Sequence, residues 1–191
     1  MKARWYGLLV VLLWAAAPAA RAQLNLNPFG EYYNNIPRAT QANDVAKIRD
    51  LLSQGYSPNQ TDENGGTTGL HIAAASGNLQ IIAILYKAGA NINQRDVIGS
   101  TPLEYAAEHD HLDATKLLLD MKAAINDQNK NGMTALMFAA KTGDIDLVHA
   151  LLAQGANPNL SDYTGRDATG WALDAHRPLA AQILKDAARK H

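Results

Sequence analysis

The only two histidines close together in the sequence flank a carboxylate, in His109-Asp110-His111. Two imidazoles at i and i+2 can hold a divalent ion weakly. A structural zinc site needs four ligands at defined spacing, and the chain has no cysteine to complete one. A solvated turn is the expected reading, with weak chelation as the competing one. His149 and His176 are isolated, with no nearby serine, cysteine or aspartate at a spacing that suggests a nucleophile and its base. Asp144 and Asp146 open a helix, where carboxylates offset the helix dipole. Gly65-Gly66 lacks the strand-glycine-helix context of a phosphate loop. No catalytic residue, cofactor site or metal is assigned, and a non-enzymatic protein is expected.

The elements that carry these residues recur. Leu70, Leu103, Leu136 and Thr169 fall at a constant step of 33, as do Gly66, Gly99, Gly132 and Gly165. A period in this range marks a stacked repeat array. The stretch from Asp96 to Asn126 reads as a turn, a short helix, a second turn, a longer helix and an extended tail. Thr68, Thr101, Thr134 and Asp167 share one phase, and each can cap a helix through a side-chain oxygen. Pro102 suits the first helical position, and Thr101 with Glu104 has capping-box spacing. Ala73-Ala74, Ala106-Ala107 and Ala139-Ala140 are small enough to let neighbouring helix pairs approach closely. Larger apolar residues fill the second helices, among them Ile81, Ile82, Leu85, Leu117, Leu118, Leu147, Val148 and Leu151. One helix pair cannot bury such a face alone, so stacking must do it.

This unit resembles the ankyrin repeat. Thr101-Pro102-Leu103 matches the family's T-P-L-H-x-A motif, with Glu104 in the histidine slot. Gly69-Leu70-His71 and Thr134-Ala135-Leu136 are variants of it. Gly89-Ala90-Asn91-Ile92-Asn93 and Gly155-Ala156-Asn157-Pro158-Asn159 resemble the family's tail. The resemblance runs from Ala39 to Lys190. It implies an all-α solenoid of stacked helix-turn-helix units with short hairpin fingers, about four to five repeats long. It also implies that His71 hydrogen-bonds neighbouring turns, a structural role. For function it implies protein binding, an inference from architecture and not from chemistry.

Three departures stand out. Lys122 holds the slot of Gly89 and Gly155, and Asp110 holds that of Gly77 and Gly143. Both lie in the third repeat, which is therefore expected to be the least regular inner unit. In the last repeat Thr169-Gly170-Trp171 replaces the Leu-His motif, and Lys185, Asp186, Arg189 and Lys190 are expected to give a polar outer face.

Residues 1–22 read as a signal peptide. Lys2 and Arg4 precede an apolar run from Gly7 to Ala17, and Ala20-Arg21-Ala22 places cleavage between Ala22 and Gln23. The run is too short for a membrane span and Pro18 breaks it. Residues 23–36 are assigned to a linker and 37–191 to the array, with repeats at about 37–62, 63–95, 96–128, 129–161 and 162–191. Without residues 1–22, fourteen basic side chains face eighteen acidic ones. Mild acidity gives no electrostatic case for nucleic acid or an anionic membrane. The signal peptide and the lack of cysteine favour a bacterial periplasm or secretion. A monomer is expected, with no membrane insertion after cleavage.

What remains is a surface. By the resemblance, an unidentified protein partner docks on the finger tips and the exposed side of the first helices. Carried over by phase, the contact residues are Val97, Ile98, Ser100, Glu108, His109, Lys130, Met133, Lys141, Tyr163 and Arg166, with Glu63, Asn64 and Thr67 in the second repeat. Val97-Ile98 is the most informative pair, because two adjacent branched apolar residues on a finger suggest a contact patch. A metal- or small-ligand-binding envelope protein, and an exported effector acting on a host protein, are the alternative readings.

Overall fold

A computed structural model describes residues 35–62 and 66–190. The signal peptide, its cleavage site at Ala22 and Gln23, most of the linker, and Glu63 and Asn64 lie outside the described residues.

Ten α-helices follow in pairs among the described residues: α1 (Ile36–Gln41) and α2 (Val45–Ser53), α3 (Gly69–Ala75) and α4 (Leu79–Lys87), α5 (Pro102–Glu108) and α6 (Leu112–Asp120), α7 (Ala135–Thr142) and α8 (Ile145–Ala153), α9 (Ala168–Asp174) and α10 (Pro178–Ala188). The short first helices α1, α3, α5, α7 and α9 stack in a row, each against the next, and each second helix packs on its own first helix. The described residues form no named strand, only the isolated bridges Thr61–Thr68 and Ser161–Asp167. This is the expected all-α solenoid.

The caps explain why the helices begin where they do. Thr101, Thr134 and Asp167 each accept a backbone N–H from three residues on. The complete capping box falls elsewhere than expected. Thr68 and His71 form it, whereas Glu104 turns inward and does not reach back to the Thr101 backbone. The alanine pairs are buried between helices, as are Leu70, Leu103 and Leu136. Asn35 and Ile36, assigned by sequence to the linker, belong to the first repeat: Asn35 caps α1 and Ile36 is fully buried.

The third repeat is as regular as its neighbours, contrary to expectation. Its helices have the same lengths as those of the second. Lys122 at φ 67° adopts the left-handed conformation of Gly89 and Gly155, and Asp110 at φ 63° that of Gly77 and Gly143, a conformation that His176 also takes at the same phase in the last repeat. The strain is thus borne at two residues and not spread through the unit, at about 1–2 kcal/mol for Lys122 and less for Asp110, whose short polar side chain tolerates the conformation. The last repeat is less polar outside than expected. Gln182, Lys185, Asp186 and Arg189 face water, but Leu173 and Leu179 do so too. Leu173 sits at the phase where Ala74, Ala107 and Ala140 are buried beneath a following helix pair.

Candidate interaction face on the fingers and first helices

Three fingers share one construction. Asp96, Asn129 and Asp162 donate their backbone N–H to the carbonyls of Ser100, Met133 and Arg166, closing a tight turn. Their Oδ1 atoms accept N–H bonds from the residues two and four positions on. A side chain that can gather two turn donors is what Asp and Asn supply. The fingers are then bonded to one another. Lys130 N–H donates to the Ile98 carbonyl at 2.9 Å, and Tyr163 N–H to the Asn131 carbonyl at 3.1 Å. Behind them His71 ties the second repeat to the third. Its Nδ1 faces the Thr68 N–H and hydroxyl, which leaves the Nε2–H to donate to the Ser100 carbonyl at 3.1 Å. Burial lowers its pKa, although the Ser100 carbonyl and the carboxylates of Asp96 and Asp62 oppose the shift. The structural role implied for His71 is the one it has.

The second carboxylate oxygen of the finger aspartates has its own task. Asp96 Oδ2 accepts the Tyr105 hydroxyl at 2.9 Å, and Asp162 Oδ2 accepts the Trp171 indole N–H at 3.0 Å. Nine residues separate each pair. In the fourth repeat the same two positions are Asn129 and Phe138, and there the ring has no polar handle. Asn129 instead donates to the Ser100 hydroxyl at 3.1 Å. Tyr105, Phe138 and Trp171 thus form a ladder at the step of 33, fixed at both ends. His109 lies parallel to Tyr105 with centroids 6.3 Å apart. The Arg166 guanidinium sits 4.2 Å from the Trp171 ring centre and also pairs with Asp174 at 2.8 Å; the Lys141 ammonium is 5.7 Å from the same ring. Sequence reasoning missed the aromatic ladder, although the pairing of Asp with Tyr or Trp and of Asn with Phe was there to read.

Of the carried-over contact residues, most are accessible and two are not. Val97, Ile98 and Tyr163 are 55%, 50% and 74% exposed, a high value for apolar side chains in an array this well packed. Glu108, His109, Lys130 and Lys141 are exposed, and Arg166 is half-buried over Trp171. Ser100 and Met133 are buried and are withdrawn from the contact surface. Their phase places them on the inner side of the finger, under the turn. Val97 also leans on the preceding finger, its Cγ1 3.4 Å from the point where a Gly66 Cβ would lie.

His109 and His111 serve the turns. His109 Nδ1 contacts the Tyr105 carbonyl of its own helix, and His111 Nε2 contacts the Ala75 carbonyl of the preceding repeat. Among the described residues no group of three or more His, Cys, Asp or Glu is placed to hold a metal ion. No described helix is long and apolar enough to cross a membrane.

Stacked helix pairs, fingers bonded edge to edge and a 33-residue translation define a helical repeat protein. The family model that describes three ankyrin repeats in tandem matches residues 38–129 and 121–191, and the chain belongs to the ankyrin-repeat family. It is 43% identical over 54 residues to the E3 ubiquitin-protein ligase MIB2 of Gallus gallus. That match takes in 28% of this chain and only 6% of the ligase.

Proposed function

We propose that this is an exported, non-enzymatic interaction module that binds a partner protein through its concave finger and first-helix face. The observation that carries the reading is the row of accessible tips Val97, Ile98 and Tyr163, with the half-buried rings of Tyr105 and Trp171 held behind them by Asp96 and Asp162. Rigid aromatic and branched apolar groups bury large area at little entropic cost, which is what an interface anchor requires. The rim of Glu108, Lys130, Lys141 and Arg166 supplies charge for orientation. Ankyrin repeats are interaction modules, so the family supports the reading. The ligase activity in the relative's name is not carried over, because the shared segment is a small part of that protein. Export rests on residues 1–22, with cleavage between Ala22 and Gln23 and a periplasmic or secreted destination.

The test is recovery of a partner from periplasmic extract by the purified chain. Val97→Asp/Ile98→Asp and Trp171→Ala should each lower recovery at least tenfold, while Lys116→Ala on the opposite face should not. Equal recovery by all four proteins would remove the face from the account. Fractionation and N-terminal sequencing test export, with Gln23 as the expected first residue.

A further inference from the structure

Glu104 occupies the slot that His71 occupies one repeat earlier, but with acid chemistry. Its side chain is 2% exposed, and Oε2 has no hydrogen-bond partner among the described residues. Oε1 is 3.5 Å from the Thr101 hydroxyl, and the Ser100 hydroxyl, which takes a bond from Asn129, faces the carboxyl as well. His71 spans its joint by donating its Nε2–H to the Ser100 carbonyl, which also accepts the Asp96 N–H. One step on, the equivalent carbonyl belongs to Met133, which accepts the Asn129 N–H in the same way. A carboxylate in this slot would offer that carbonyl only repulsion, whereas a neutral acid offers an O–H. We propose that Glu104 is held as a neutral acid that takes the place of His71 at the joint between the third and fourth repeats, and that its deprotonation loosens this joint and the fingers on it.

The surroundings fit. Among the described residues the cation that acts on it is Arg95, and Arg95 is committed elsewhere: to Asp127 at 2.9 Å and to the carbonyls of Gly99 and Gln128. Asp127 opposes a second negative charge. Neighbouring helix α3 carries only His71, and α7 only Lys141, exposed near its far end. On α6 the charged residues Asp113, Lys116 and Asp120 all face water, as does Glu108 on α5 itself, while Tyr105 is turned to Asp96. Burial accordingly raises the Glu104 pKa from 4.5 to about 8, against the pull of Ser100 and Arg95. The folded state then binds the proton more tightly than the unfolded chain. The stabilisation is fully present below about 4.5 and is lost as pH rises through about 8, by up to tenfold in the folding equilibrium for each pH unit between. His71 adds little over the upper part of this window, because burial lowers its pKa in the folded state and an ordinary imidazole has lost most of its proton above pH 7.

The chain contains four glutamates, so carbon-13 labelling of glutamate gives four side-chain carboxyl signals. Glu104→Gln identifies the one that disappears. That signal is expected to titrate near pH 8, and a midpoint in the ordinary carboxylate range overturns the proposal. Melting temperature between pH 7 and 9 is the second arm. The parent chain should lose stability over that interval, and Glu104→Gln, a neutral donor of the same shape, should not. Parallel curves for the two proteins overturn the joint even if the titration is shifted. Should Glu104→Gln fold poorly, Glu104→His restores the donor of the neighbouring repeat and should give the same flat profile. Neither arm needs the binding partner, so the result stands apart from the proposed function.

Discussion

At the scale of single residues, polar side chains do more positioning than their number suggests. Asp162 closes its finger, holds Trp171 and sits 3.8 Å from the Arg166 guanidinium. Burial raises its pKa, but bonds from Thr164, Arg166 and Trp171 outweigh that and bring it down to about 2 from 3.8. Its contribution is therefore present above about 3.8 and lost as pH falls through about 2. Asp162→Asn should cost roughly 1–3 kcal/mol at neutral pH and make the acid limb of the melting profile shallower. Denaturant melts at pH 7 and pH 3 check both. The chain's own letters indicated the cap at Asp167, and the resemblance to ankyrin repeats implied the bridging role of His71. They did not reveal that Ser100 and Met133 lie beneath the turn or that Glu104 points inward. Phase gives a position along the repeat; depth depends on how the next finger sits, which only packing decides.

At the scale of elements, glycine and its substitutes set the tolerance of the turns. A Cβ on Gly132, at φ 78°, would lie 2.7 Å from the Tyr163 backbone nitrogen. Both strain and collision oppose Gly132→Ala, and the variant should lose at least about 1–2 kcal/mol, read as a fall in melting temperature. Lys122→Gly acts in the opposite sense. It relieves a left-handed lysine whose strain exceeds the entropic penalty of glycine, and should gain up to about 1 kcal/mol. Helix starts were legible because Thr68, Thr101, Thr134 and Asp167 announce them. The regularity of the third repeat was not. Two non-glycine residues in glycine slots suggested distortion, but the helices around them are fixed by buried leucines and alanines that hold the backbone to the common geometry.

At the scale of the whole molecule, each repeat contacts its neighbours and stability is close to a sum of units and joints. The tails reinforce this. Asn59 accepts the Asn91 N–H at 2.7 Å, Asn93 that of Ala124 at 2.8 Å, and Asn126 that of Asn157 at 2.8 Å. The asparagines were visible in the chain as a motif without a task; the task is to bolt successive repeats together where each second helix has ended and the chain runs on to the next finger. The period of 33, and with it the architecture, could be read from the chain because every joint repeats the same contacts. The interaction face could be read only as a row of positions, since which side chains remain accessible depends on every joint at once. Site-specific photo-crosslinking in living cells tests that face most directly. A photoreactive side chain at Tyr163 or Ile98 should capture one discrete protein, and the same group at Lys116 should capture none. Capture from Lys116 alone, or the same products from all three positions, would contradict the account.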